Sequence, residues 1–157
     1  MEIRKMEESD IESVKDIATF TWKDTYSSFI PIDIQEKTLK EAYSKENMKK
    51  RFKTSVMLVA EEAGEMKGYA FFSNENKSEI YLESIYVHPS QQGKGIGKKL
   101  YHTGINHYDN PTSISLIVYK GNPNLSFYEK EGFKPIEEIE GDFCGHPVAF
   151  IKMTKTL

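Results

Sequence analysis

A chain of 157 residues, 38% hydrophobic and 29% charged, can bury a core without disulfides or a structural metal, and one domain over residues 1–157 is expected. Its 21 Lys and Arg against 24 Asp and Glu leave a net charge of -3, which offers nucleic-acid phosphates and anionic membranes no general attraction. No stretch reaches the roughly 20 apolar residues that span a bilayer, and the opening MEIRKMEESD lacks a signal peptide's apolar run, so a cytoplasmic protein is expected.

Residues 2–6 read as a short strand. Ser9 and Glu12 then stand at the spacing of a capping box, and Ile11, Val14, Ile17, Ala18, Thr21 and Trp22 recur every three or four residues, which predicts a helix with one apolar face. Pro31 breaks that pattern, and a more charged second helix is expected from about residue 33 to 52, with an interruption near Ser44. From residue 55 the texture changes: 56–60, a turn at Gly64, 68–72 and 80–87 read as consecutive antiparallel strands. Apolar residues fill both alternating sets in these runs, so helices should cover both faces of the sheet. A helix at about 96–108 and a strand at 114–119 follow. Asn122 and Pro123 suit an N-cap and first helical residue, and Gly132 suits the left-handed position after the last turn, which places a short helix at 123–131. Two strands at about 133–139 and 147–154 complete the order βααβββαβαββ.

The segment Gln91-Gln92-Gly93-Lys94-Gly95-Ile96-Gly97-Lys98 joins the end of a strand directly to a helix, with glycines at alternate positions. Glycine removes the Cβ that would hold a phosphate away and lets successive amides point at one anion, while the helix N-terminus adds its dipole. A pyrophosphate fits such a site; a flexible glycine-rich turn is the plain alternative. The dinucleotide pattern G-x-G-x-x-G fails because Lys98 stands at the third glycine, and the P-loop pattern fails at Gln92 and Lys99. Cys144 is the only cysteine, which excludes an intrachain disulfide and a thiolate metal cluster. His88, His102, His107 and His146 show no ligand spacing, so no metal is expected.

Gln92 to Gly97 matches the [QR]-x-x-G-x-[GA] signature, and the chain resembles the GCN5-related N-acetyltransferases. The match is wider than the loop: Leu82 to Pro89 is similar to the family's central strand and its exit, and Asn122 to Phe133 to its later helix motif. The resemblance implies an α/β (α+β) fold with a mixed, mostly antiparallel sheet of about seven strands and helices on both faces. It implies acetyl-CoA as co-substrate and a small-molecule amine as acceptor. Gln92, Gly93, Lys94, Gly95, Ile96, Gly97 and Lys98 would hold the CoA pyrophosphate, and the strands at 80–87 and 113–119 would splay so that the pantetheine arm pairs with backbone at Ile85, Tyr86 and Val87. It also implies that Tyr128 protonates the leaving sulfur while Phe127 faces the core, that Asn122 contacts the cofactor besides capping a helix, and that the chain forms a homodimer through its late strands. The Thr21 to Pro31 segment is similar to bacterial members including the spermine/spermidine acetyltransferases, which makes Trp22, Tyr26 and Phe29 acceptor contacts and a polyamine-like amine the first acceptor to test; for Trp22, packing in an ordinary helix face stands equally.

Acetyl transfer requires a neutral amine, yet an alkylamine has a pKa of about 10, so a group must accept its proton. Glu83 stands in an otherwise apolar strand, where an unpaired charge is costly, and is the candidate base, through water; pairing with solvent or a lysine is the alternative. Acetylation of a protein N-terminus or lysine, and a non-catalytic acyl-CoA sensor, are the competing functions, since a loop that binds CoA supplies no chemistry by itself.

Overall fold

The interruption expected near Ser44 is a complete break. The Ser44 hydroxyl accepts from Asn47 N (3.2 Å) at an extended backbone position, so the expected second helix becomes two, and the order is βαααβββαβαββ. The structure is a computed structural model and describes residues 1–74, 76 and 78–157. Its elements are β1 (Glu2–Lys5), α1 (Ile11–Tyr26), α2 (Ile32–Ala42), α3 (Lys45–Thr54), β2 (Val56–Glu62), β3 (Glu65–Asn74), β4 (Glu79–Val87), α4 (Ile96–Ile105), β5 (Ser113–Tyr119), α5 (Leu125–Lys130), β6 (Lys134–Phe143) and β7 (His146–Thr156).

At the start of α1 the expected cap has moved. The box closes one turn earlier, between Glu7 and Asp10 around the 3-10 turn Glu8–Asp10: the Asp10 carboxylate accepts from Glu7 N (2.8 Å) and takes both guanidinium nitrogens of Arg4 (2.8 and 2.9 Å). Arg4 also reaches Glu61 on β2 (2.8 Å), so one cation ties β1, β2 and the entry to α1 together. The Arg4 hydrogen bonds hold the Asp10 carboxyl below its ordinary range despite its partial burial.

The seven strands form one sheet in the order β1-β2-β3-β4-β5-β7-β6. Every neighbouring pair is antiparallel except β4 and β5, which are parallel. Helices cover both faces, as the doubled apolar pattern requires. On one face Ile96 and Leu100 of α4 pack with Leu58, Phe72, Leu82, Leu116 and Phe133. On the other, Val14, Ala18 and Trp22 of α1, Leu39 of α2 and Met48 of α3 pack with Met57, Val59 and Tyr69. Each such side chain contributes about 1.5–3 kcal/mol by leaving water. Gly104 lets α4 sit directly on the sheet: a Cβ there would lie 2.0 Å from the buried Phe72 ring.

The feature that positions the site is the junction of β4 and β5. Their parallel register runs Glu79↔Ser113, Ile80↔Ile114, Tyr81↔Ser115 and stops there, although β4 continues to Val87 and β5 to Tyr119. The cause lies in β4. Opposite β3, Ser84 pairs with Phe71 and Leu82 with Phe72, so Glu83 is the extra residue of a β-bulge, which bends the strand away from its neighbour.

Candidate active site

The diverging strands open a cleft. Its walls are Thr21, Trp22, Thr25 and Tyr26 of α1, residues 82–86 of β4, residues 116–118 of β5, and Asn122, Asn124 and Tyr128 beyond β5. Glu83, carried outward by the bulge, is exposed, and its Oε1 accepts from the Ser73 hydroxyl of β3 (2.7 Å). The cost of a charge in an otherwise apolar strand is thus avoided: Glu83, at the bulge, is open to solvent and bonded to a hydroxyl, as the alternative reading of it has it.

At the far end of β4 lies the glycine loop. Gly93 and Gly95 have φ of +82° and +78°, and a Cβ on either would meet nothing within 4 Å. The constraint there is on backbone direction, and the space in front of the loop is open, as an anion cradle needs. Gly95 is also the N-cap of α4, and among the described residues no side chain caps its first turn, which leaves those amides without a side-chain partner. Lys94 Nζ donates to Gln91 Oε1 (3.2 Å), and Lys94, Lys98 and Gln92 are exposed around the loop. Gln92 Nε2 approaches Val87 O at 3.5 Å, the long limit of a hydrogen bond, and so folds the loop back toward the strand it leaves.

The α1 wall is aromatic. Trp22 meets Tyr26 edge-on at 5.0 Å, Tyr26 meets Phe29 at 6.0 Å, and Phe29 stacks on Tyr119 of β5 at 5.1 Å. Two polar contacts run across this wall: Trp22 Nε1 donates to the Tyr86 hydroxyl (3.0 Å) and Asn122 Nδ2 donates to the Tyr26 hydroxyl (3.2 Å). Burial pushes the Tyr128 phenol up to about 12, with the nearby Tyr86 adding to the shift, so the Tyr128 hydroxyl stays protonated throughout the physiological range. Burial, with Tyr86 and Tyr128 beside it, raises Tyr26 further still.

The acetyltransferase (GNAT) domain model matches residues 17–157, most of the chain. The chain belongs to this family. Among its relatives is a spermidine N(1)-acetyltransferase of Thermoplasma acidophilum, 29% identical over 151 residues that cover 90% of this chain and 92% of that protein. An uncharacterised N-acetyltransferase of Bacillus subtilis is 28% identical over 145 residues, covering 87% of this chain and 82% of that protein. Among solved structures, the PaiA N-acetyltransferase of Thermoplasma acidophilum in complex with coenzyme A superposes with a TM-score of 0.80 at 25% identity, over 99% of this chain and 98% of that one. This GNAT protein is therefore an acetyl-CoA-dependent N-acetyltransferase.

The residues present suit coenzyme A on their own geometry. The loop leaves open room before two left-handed glycines, and the β4 edge past Tyr81 has no β5 partner at Ile85, Tyr86 and Val87. The α5 region departs from the sequence pattern in two ways. The helix begins at Leu125, and Asn122 forms a turn before it instead of capping it, its Oδ1 accepting from Asn124 N (2.8 Å). Phe127 is 56% exposed while Tyr128 packs against Phe133, the reverse of the expected facing, because Leu125 and Tyr128 share the inward side of so short a helix.

Trp22, 8% exposed, is both a core residue and a wall of the cleft. Phe29 lies near the mouth, against Tyr119, and is not among the lining residues of the cleft itself. Thr21 and Thr25 lie within the segment that the resemblance gives to the acceptor side, whereas Ser84 was missed as a lining residue. Thr21 Oγ1 is buried and has no partner among the described residues. No periodicity separates such a threonine from one that merely completes a helix face.

Proposed function

We propose that this enzyme transfers the acetyl group of acetyl-CoA to the primary amine of a small molecule by direct attack in a ternary complex, in the cytoplasm, within one N-acetyltransferase domain over residues 1–157. The observation that carries the reading is the cleft between the splayed strands, with Glu83 on one wall and Tyr128 on another. Gln92 to Lys98 bind the pyrophosphate, and the free backbone edge at Ile85, Tyr86 and Val87 pairs with the pantetheine arm and polarises the thioester carbonyl. Asn122 stands beside the same arm.

The acceptor enters on the α1 side, against Trp22, Tyr26 and Phe29. Glu83 takes the ammonium proton through water, so that the neutral nitrogen can attack; as the C–S bond breaks, Tyr128 gives its proton to the sulfur and recovers one from solvent. Direct transfer needs no acyl-enzyme, and Cys144 lies outside the cleft lining, at the β6–β7 turn beside Thr38 and Glu41. A polyamine-like amine is the first acceptor to test, supported by the named substrate of the Thermoplasma relative. The homodimer implied by the resemblance would use β6, the last strand of the sheet, where Ile136 is 61% exposed.

The test is thiol release from acetyl-CoA with a panel of polyamines, amino sugars, aminoglycosides and peptides, beside calorimetric titration with CoA. Binding together with release for one amine class is expected. Binding without release for any acceptor would favour a sensor, and release with peptides alone a protein acetyltransferase. No CoA binding would overturn the reading of the loop.

A further inference from the structure

Trp22 and Tyr26 stand one turn apart on α1, about 6 Å along its axis and on one face. Their polar atoms reach opposite arms of the splayed pair. Trp22 Nε1 bonds the hydroxyl of Tyr86, on the β4 arm, and the Tyr26 hydroxyl takes Nδ2 of Asn122, three residues past the end of the β5 arm. The Asn122 amide is itself fixed, since its Oδ1 accepts from Asn124 N. Where β4 and β5 would otherwise hold each other by backbone hydrogen bonds, α1 is bonded to both.

We propose that α1 is the tie across the cofactor cleft, and that Tyr26 and Trp22 are positioning residues whose hydrogen bonds to Asn122 and Tyr86 hold the two strand arms at the separation CoA requires. The inference rests on the reading of the cleft as the CoA site and gives these two residues a task distinct from touching the acceptor. Splayed strands lack the ladder that normally sets interstrand distance, and a helix is a stiffer spacer than a loop. Both phenols act here as acceptors, so each keeps its own proton for the cleft.

The test is a double-mutant cycle read in the CoA dissociation constant by calorimetry, which needs no knowledge of the acceptor. Tyr26→Phe keeps the ring against Trp22, Phe29 and Tyr119 and removes only the hydroxyl. It is expected to weaken CoA binding roughly fivefold in the wild-type background, the scale of one net hydrogen bond, and by less than about 1.5-fold in the Asn122→Ala background. Tyr86→Phe, which keeps its stacking on Tyr69, is expected to weaken CoA binding to a similar extent, with thermal melts confirming that each variant is folded. An equal loss from Tyr26→Phe in both backgrounds would show direct contact in place of the tie, and no loss in either would remove the tie altogether. If the wild type itself fails to bind CoA, the cofactor reading fails first, and that outcome is separable because it precedes any variant.

Discussion

The glycine loop lies at the exit of β4, beyond the cleft that the α1 wall lines, and the two are built from different material. The loop acts through backbone: two left-handed glycines, an uncapped helix start and exposed lysines, with open space before them. The α1 wall acts through side chains brought from α1, β4, β5 and the turn after β5. A site made of consecutive amides is insensitive to the identity of its neighbours, whereas a site made of converging side chains depends on every packing contact that orients them. On the proposed reading, the first holds the CoA pyrophosphate and the second chooses the acceptor.

The sharpest way to separate the two is Gly95→Val. A branched Cβ at φ +78° is strained whatever the space around it, so the loop must move and CoA affinity should fall on the order of 100-fold. The melting temperature should drop only modestly, because a Cβ at Gly95 meets no described atom within 4 Å; a large drop in stability would show that the loop also supports the fold.

On the side-chain wall, Tyr128→Phe should lower kcat by roughly 10²-fold and leave CoA affinity within about twofold, since the hydroxyl acts only when the thiolate leaves. With Tyr128 raised to about 12, the wild-type rate should show no loss from its ionisation up to about pH 10. The same shift has a stability consequence. A phenol held neutral by burial stabilises the fold fully below its unfolded value near 10, and that contribution disappears as pH rises through about 12. Alkaline unfolding between those values, followed by circular dichroism, is the expected outcome for Tyr128 and for Tyr101, which burial also raises to about 12. A turnover rate unchanged in Tyr128→Phe would place the proton donor elsewhere.

Glu83→Gln should cost about tenfold in kcat and flatten the acid limb of the pH profile, a smaller effect because water relays the proton and Ser73 already shares the carboxylate. An unchanged profile removes Glu83 from the chemistry. Smallest for the site, Asp10→Asn should leave CoA binding and turnover untouched while reducing stability by about 1–2 kcal/mol, as the bonds from Arg4 and Glu7 N weaken. Since Arg4 lowers the Asp10 pKa, its contribution is present above the unfolded carboxylate range near 3.9 and is lost as pH falls through the lower folded value. Asp10→Asn should therefore lose part of the wild type's acid-induced drop in melting temperature between about pH 4 and the lower folded value. An equal acid sensitivity in wild type and variant would show that this ion pair carries no net stability.

The features that could be read along the chain were those with local causes. Alternate glycines between a strand and a helix specify an amide cradle within eight residues, and the periodicities of α1 and the strands at 56–60, 68–72 and 80–87 survive into the structure with shifted ends. The misplaced details were also physical. The break expected near Ser44 is complete because its hydroxyl takes the Asn47 amide and starts a third helix; the capping box closes between Glu7 and Asp10 because Arg4 of β1 draws in the Asp10 carboxylate; and Phe127 faces out because a helix of six residues can seat only Leu125 and Tyr128 inward.

By itself the sequence determined the element types, the glycine loop and the family, because each follows from spacing and backbone preference over short stretches. Only the tertiary structure decided where β4 leaves β5, that Glu83 is the bulged residue that turns to solvent, and that Trp22 and Tyr26 reach across to Tyr86 and Asn122. Those facts depend on strand register and on contacts between residues 64 and 96 positions apart, which no local pattern encodes.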